Sequence, residues 1–126
     1  MSLNELRDKA FNIAQEHGFH KKPCDLPTRL MLIVSELSEA MEADRKGIWC
    51  HNPELLSGKH LLELTINELQ KSTYESSVKG TVEEEIADAI IRLLDLAGVY
   101  NINLDWHVAA KMAYNEKREY KHGKKY

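Results

Sequence analysis

The pattern of hydrophobic and polar positions is helical along most of the chain. Apolar residues recur at intervals of three and four within five stretches, which is the spacing of one face of an α-helix. Capping signals at Ser2 with Glu5 and at Thr81 with Glu84, and a stop signal at Gly47, bound these stretches. The predicted helices cover residues 2–17, 27–46, 60–71, 81–98 and 104–120. With no repeat or linker between them, the pattern predicts one domain over 1–126, an all-α bundle of four to five helices.

The stretch 81–98, TVEEEIADAIIRLLDLAG, is apolar around most of its predicted helix. At about 100° per residue, its one polar stripe falls within roughly 80°. A helix apolar on nearly all sides is usually buried, so this stripe should be buried or line a cleft. Ionised carboxylates in such a place are costly unless a cation accompanies them. The alternative is an ordinary solvated face. The stripe consists of Glu85, Asp88, Arg92 and Asp95.

The predicted helix 27–46 repeats this arrangement. Its first half is apolar on every side through Leu30–Val34, and Glu36 and Glu39 then stand at i and i+3, about 60° apart. Two such pairs on antiparallel helices would form a cluster of oxygen ligands, which suits Mg²⁺ or Mn²⁺. A di-iron site is the nearest competitor, but it normally uses Glu-x-x-His pairs, and neither acidic helix carries one.

Composition and charge narrow the possible partners. The net charge is −3, yet the segment from Lys111 to Tyr126 holds six basic residues and two acidic ones. Such a segment is typical of a nucleic-acid tail or of a group that meets an anionic ligand. Because the chain is acidic overall and carries no DNA-binding motif, nucleic acid is disfavoured. No apolar run reaches membrane-spanning length, and the charged start lacks a signal region, so a cytoplasmic protein without a membrane partner is expected.

The two cysteines favour the same compartment. Isolated thiols in a chain without an export signal are more often free than bridged. A metal site built from imidazole and thiol groups is a minor alternative, because their spacing forms no zinc pattern. Its members would be His20, Cys24, Cys50 and His51.

The paired motif Glu36-x-x-Glu39 and Glu85-x-x-Asp88 resembles the signature of the MazG-like family, the all-α nucleoside triphosphate pyrophosphohydrolases. The resemblance covers about half of the chain directly. It extends through LIVSELSEAMEADRKG, VEEEIADAIIRLLDLAG and the basic end KMAYNEKREYKHGKKY.

This resemblance implies an enzyme that hydrolyses a (deoxy)nucleoside triphosphate to the monophosphate and pyrophosphate, with Mg²⁺ as cofactor and Mn²⁺ as a possible substitute. The implied metal ligands are Glu36, Glu39, Glu85 and Asp88. Glu39 is also the candidate general base. Lys111 and Arg118 would hold phosphate oxygens, and Asn115 would orient phosphate or base.

Three further residues are candidates for substrate binding. Arg92 would contact phosphate, or else form a salt bridge with Asp95 or Asp88. Trp49 and His20 would stack on the base, although aromatic residues in a helical protein of this size more often belong to the core. The segment 48–80 is longer than in compact family members, so the resemblance does not indicate which base is preferred.

Two other functions compete with this one. The first is a phosphoribosyl-ATP pyrophosphohydrolase from the same superfamily, and the second is a non-catalytic helical binding module. A binding module has no need of four mutually repelling acids, which favours the enzyme. The apolar surfaces of the two acidic helices also need cover from both sides, so a homodimer or homotetramer is expected.

Overall fold

The computed structural model describes residues 1–51 and 71–126. Within these two ranges the chain forms five α-helices and no strand, which confirms the predicted all-α class for this part of the chain. Among the described helices, none combines the length and the apolar character needed to cross a bilayer. The helices are α1 (Leu3–Glu16), α2 (Leu26–Arg45), α3 (Lys71–Ser77), α4 (Val82–Val99) and α5 (Leu104–Glu116).

Three of the predicted helices match α1, α2 and α4 to within a residue or two at each end. Two differences bear on the site. Helix α5 ends at Glu116 instead of continuing to Tyr120, and α3 extends to Ser77, beyond Lys71 where the predicted helix ends. The helix predicted over 60–71 lies outside the described residues apart from Lys71.

The chain divides into two compact units, one formed by Met1–Phe19 with Leu94–Tyr126 and the other by His20–Leu93. Helix α4 contributes residues to both. All four predicted metal ligands belong to the second unit, whereas the basic segment belongs to the first.

In the first unit, α1 and α5 cap each other's amino-terminal ends. Asn4 Oδ1 accepts the backbone N–H of Leu104 at 2.9 Å, and Asp105 Oδ1 accepts that of Leu3 at 2.9 Å. The first N–H groups of a helix have no partner within the helix, so each helix satisfies donors of the other. The predicted capping box of Ser2 and Glu5 is also formed.

The end of α4 lies against α1 at a glycine. A Cβ atom added to Gly98 would lie 2.8 Å from the Cβ of Phe11, closer than real side chains approach. The absence of a side chain at Gly98 therefore allows the two helices of this unit to pack this closely.

In the second unit, Asp25 caps the start of α2, and its carboxylate accepts the backbone N–H of Thr28 at 2.9 Å. The helix is stopped by Gly47, which has a φ of +68° that glycine adopts without strain. The following residues join the start of α4, because the backbone N–H of Val82 donates to the carbonyl of Ile48 at 3.0 Å. The end of α2 thus lies beside the beginning of α4, and the two helices run antiparallel.

Helices α2 and α4 leave much of their apolar surface exposed in the single chain. The buried residues of this unit include small side chains such as Ala40, Ala43 and Ala89. By contrast, Met31 on α2 is 63% exposed and Ile90 on α4 is 52% exposed. Among the residues that the structure describes, the apolar surfaces of these two helices are thus only partly covered.

Candidate functional site

The acidic residues of α2 and α4 converge in the second unit. One carboxylate oxygen from each of Glu36, Glu39 and Glu85 lies within 4.8 Å of the other two. The i, i+3 spacing on α2 places two of these carboxylates on one face, and the antiparallel neighbour supplies the third. Glu36 is buried, Glu85 is half-buried and Glu39 is exposed, so the cluster reaches from the interior to the surface.

The cluster holds a proton that an isolated glutamate would lose. Burial, a hydrogen bond with Glu39 and the charges of Glu39, Asp88 and Glu36 raise the pKa of Glu85 to about 7. Like charges so close disfavour simultaneous ionisation. A divalent cation between these carboxylates would replace the shared proton and remove the repulsion.

Asp88, the fourth predicted ligand, lies one turn beyond Glu85 on α4 and borders the cluster. Burial raises the pKa of Asp88, the charges of Glu36, Glu84 and Glu39 add to this increase, and the charge of Arg92 opposes it. Asp88 therefore shares the electrostatic environment of the other acids, although it is not one of the three carboxylates that meet within 4.8 Å.

Arg92 pairs with a partner that the sequence patterns did not indicate. Its Nε donates to Glu36 Oε1 at 2.5 Å, an ion pair from α4 to α2. The sequence-based alternatives were salt bridges to Asp88 or Asp95 on its own helix. A possible salt bridge between residues three or four apart on one helix can be predicted from the sequence. A pair separated by 56 positions depends on how the helices pack.

Helix α3 brings Tyr74 to the acidic side of α4. The Tyr74 hydroxyl is hydrogen-bonded to the Glu84 carboxylate, and burial, this bond and the charges of Asp88 and Glu85 raise the pKa of Tyr74 well above its usual value. Glu84 also accepts the backbone N–H of Gly80 at 3.0 Å. Sequence reasoning missed Tyr74 because the predicted helix ended at Lys71, three residues before it.

The start of α4 itself was predicted from Thr81 and Glu84. Thr81 Oγ1 accepts the backbone N–H of Glu84 at 3.2 Å, as a capping residue should. The Glu84 carboxylate turns to Gly80 rather than to Thr81. This cap was the one sequence signal that pointed to Glu84, which the structure pairs with Tyr74.

The predicted stacking residues lie in the same unit as the acidic cluster. Trp49 follows α2, is 44% exposed and donates its indole Nε1–H to Asp44 Oδ1 at 3.2 Å. Its ring orientation is thus held by the end of α2. His20 is half-buried in the segment between α1 and α2.

The basic segment differs from the predicted stripe. Lys111 and Asn115 lie on α5, but Arg118 follows the end of the helix. Both cationic groups approach the ring of Tyr114, at 4.9 Å for Lys111 and 5.4 Å for Arg118. The Oδ1 atom of Asn115 is buried and has no hydrogen-bond partner among the described residues. The correction is that Tyr114, not continuous helix, brings the two cations together.

The donor set of the acidic cluster fits a hard divalent cation. It consists of carboxylate oxygens, which Mg²⁺ and Mn²⁺ prefer, and it lacks the imidazole and thiolate groups typical of zinc sites. Within residues 1–51 and 71–126, this is the one group of three or more acidic, His or Cys side chains close enough to share an ion. The alternative set of His20, Cys24, Cys50 and His51 is not brought together in this way, and both thiols are free.

Comparisons with protein-family models, curated proteins and solved structures found no match to this chain. What the acidic cluster does must therefore be inferred from its geometry and from the sequence motifs that form it.

Proposed function

We propose that this protein is a Mg²⁺-dependent nucleoside triphosphate pyrophosphohydrolase. The observation that carries the proposal is the convergence of Glu36, Glu39 and Glu85 from antiparallel helices, with oxygens within 4.8 Å and Asp88 alongside. Carboxylates that repel each other are maintained at a cost, which a bound divalent cation offsets. The resemblance of these motifs to the MazG-like family supplies the substrate class.

The four acids would hold Mg²⁺, which when bound neutralises phosphate charge and acidifies a coordinated water. Glu39 is the exposed member of the cluster and is the candidate to accept a proton from the attacking water. The water oxygen forms a new bond to phosphorus while the bond between the α and β phosphates breaks. The products are a nucleoside monophosphate and pyrophosphate.

Lys111 and Arg118 are proposed to bind phosphate oxygens. Their common contact with Tyr114 limits the positions of both side chains, and fixed cations lose less entropy when they bind an anion. Asn115 lies one turn beyond Lys111 on α5 and is proposed to orient a phosphate or the base. Trp49 and His20 remain the candidates for stacking on the base.

We also propose that the active form is a homodimer or homotetramer. Both helices that carry the acids expose large apolar side chains: Leu30, Met31, Val34, Leu37 and Met41 on α2, with Ile86, Ile90, Ile91 and Leu93 on α4. Exposed apolar side chains in such number on two neighbouring helices are typical of an interface. A second copy covering these side chains would exclude water from the neighbourhood of the cluster.

A substrate panel with Mg²⁺ tests the activity. Canonical and modified nucleoside triphosphates, together with phosphoribosyl-ATP, are incubated with the protein, and products are separated by ion-exchange chromatography. We expect monophosphate and pyrophosphate from at least one nucleoside triphosphate. Glu85→Gln should abolish turnover, because it removes a metal ligand while preserving size.

Glu42→Gln is the matched control. Glu42 is an exposed acid of α2 that pairs with Arg45 at 3.6 Å and Lys46 at 3.7 Å, outside the cluster. The Glu42→Gln substitution should leave turnover unchanged. Release of a nucleoside diphosphate and orthophosphate would show that the wrong phosphate bond was assigned. Turnover of phosphoribosyl-ATP alone would favour that narrower enzyme, and no turnover across the panel would favour a binding module.

A further inference from the structure

Arg92 and the proposed metal require the same carboxylate. Glu36 is the most buried acid of the cluster, with 11% of its side chain exposed, and the Arg92 Nε lies 2.5 Å from its Oε1. A buried carboxylate without a cation would be strongly unfavourable, so this ion pair stabilises the metal-free protein. A cation of the chain itself thus pairs with a carboxylate that the proposed metal would need as a ligand.

The surroundings of Arg92 make it a replaceable cation. Its side chain is 41% exposed, far more than that of Glu36, so the guanidinium can move toward solvent while the carboxylate stays in place. The bond to Glu36 uses the Nε–H and leaves the terminal nitrogen atoms as donors for a second group. A divalent cation beside Glu36 would also repel the guanidinium.

We propose that Arg92 is a resident counterion of Glu36 that a divalent cation displaces, and that the released guanidinium binds a phosphate of the substrate. This inference rests on the proposed function, because it assumes that Glu36 is a metal ligand. Arg92 lies one turn beyond Asp88 on α4, so a displaced guanidinium stays next to the cluster. Its planar fork suits two oxygens of one phosphate group.

The proposal predicts opposite effects of one substitution on two ligands. Removing Arg92 removes the competitor of the metal, so metal binding becomes tighter. The same change removes a phosphate contact, so binding of a polyphosphate to the metal-loaded protein becomes weaker. If Arg92 only oriented Glu36 as a ligand, its removal would weaken metal binding as well.

Isothermal titration calorimetry measures both effects on the intact chain without turnover. Mn²⁺ alone is titrated first, and inorganic tripolyphosphate is then titrated in the presence of saturating Mn²⁺. For Arg92→Gln we expect Mn²⁺ affinity to rise about tenfold and tripolyphosphate affinity to fall about tenfold, the scale of one charge-assisted hydrogen bond. Arg92→Lys keeps the positive charge and should change Mn²⁺ affinity less than Arg92→Gln does.

Arg45→Gln is the matched control for the loss of one positive charge. Arg45 lies at the exposed end of α2 and pairs with Glu42 outside the cluster, so both affinities should stay at the level of the unaltered protein. Thermal melts check folding. Metal-free Arg92→Gln should melt at a lower temperature than the unaltered protein and gain more from Mn²⁺, because the substitution removes the ion pair of the buried Glu36.

Unchanged or weaker Mn²⁺ binding by Arg92→Gln would overturn the inference. If the unaltered protein nevertheless bound Mn²⁺ and hydrolysed nucleotides, only the proposed role of Arg92 would be refuted, and the proposed function would be supported. No Mn²⁺ binding by the unaltered protein would overturn both. Tighter Mn²⁺ binding with unchanged tripolyphosphate affinity would refute the phosphate contact.

Discussion

The Glu85 carboxyl group keeps its proton to a higher pH than an ordinary glutamate does, because its pKa is raised. Its pKa of about 7 exceeds the ordinary value of 4.5, mainly because burial and the neighbouring acids disfavour a further negative charge. The folded, metal-free protein therefore holds a proton that the unfolded chain releases between these two pH values. Stability from this group is fully present below 4.5 and is lost as pH rises through about 7.

We therefore expect the melting temperature of the metal-free protein, with chelator present, to fall between about pH 5 and pH 8. Glu85→Gln should flatten this decline, because it replaces the titrating group with a neutral one. Glu42→Gln should retain the decline, since Glu42 lies outside the cluster. A melting temperature that rises over this range in the unaltered protein would contradict the coupling among the acids.

Metal binding should show the reverse dependence on pH. A metal binds the ionised form of a carboxylate, so Mn²⁺ affinity should increase as pH rises through about 7. Binding at lower pH should release a proton. Titrations in buffers of different ionisation enthalpy measure that proton directly.

At the scale of elements, α1 and α5 are joined at their starts by side chains that cap the opposite helix. Asn4 has two roles in this junction: its Oδ1 accepts the Leu104 N–H, and its Nδ2 donates to Asn103 Oδ1 at 2.9 Å. Arg7 adds a hydrogen bond to the carbonyl of Ile102 at 2.7 Å. The start of α5, the helix that carries Lys111, thus depends on α1.

Asn4→Ala should lower the free energy of unfolding by about 1–2 kcal/mol, because it removes a helix cap and leaves part-buried polar groups without a partner. Asn12→Ala is the matched control, since Asn12 is an exposed asparagine of the same helix and alanine is the better helix former. Urea unfolding of both variants gives the comparison. Equal changes in the two would show that the junction contributes nothing.

At the scale of the whole molecule, the exposed apolar residues of α2 and α4 predict self-association. Sedimentation velocity at low micromolar concentration should give a multiple of the 14.5 kDa chain mass. Ile90→Glu should shift the protein toward the monomer, because it places a charge on an apolar face of α4.

Ile13→Glu provides the control for that shift. Ile13 is 49% exposed, and it is the one large apolar side chain of α1 that is exposed, whereas α2 and α4 each expose several. We expect the assembly to survive it. A 14.5 kDa species that remained active at low micromolar concentration would refute the proposed oligomer.

The helix ends and the acidic pairs of this protein were determined by residues close together in the sequence. The caps at Ser2 and Thr81 and the stop at Gly47 were predicted, because capping depends on residues within one turn. The acidic pairs were identified for the same reason, since i, i+3 spacing alone places two carboxylates on one helix face.

Tertiary structure decided what those local features meet. The pair of Arg92 with Glu36 and the packing of Tyr74 against Glu84 depend on which helices become neighbours, and helical periodicity carries no information about that. The raised pKa of Glu85 arises only when carboxylates from two helices share a desolvated space. The sequence thus determined which helices carry the acids, whereas packing decided how those acids share a proton and which cation accompanies Glu36.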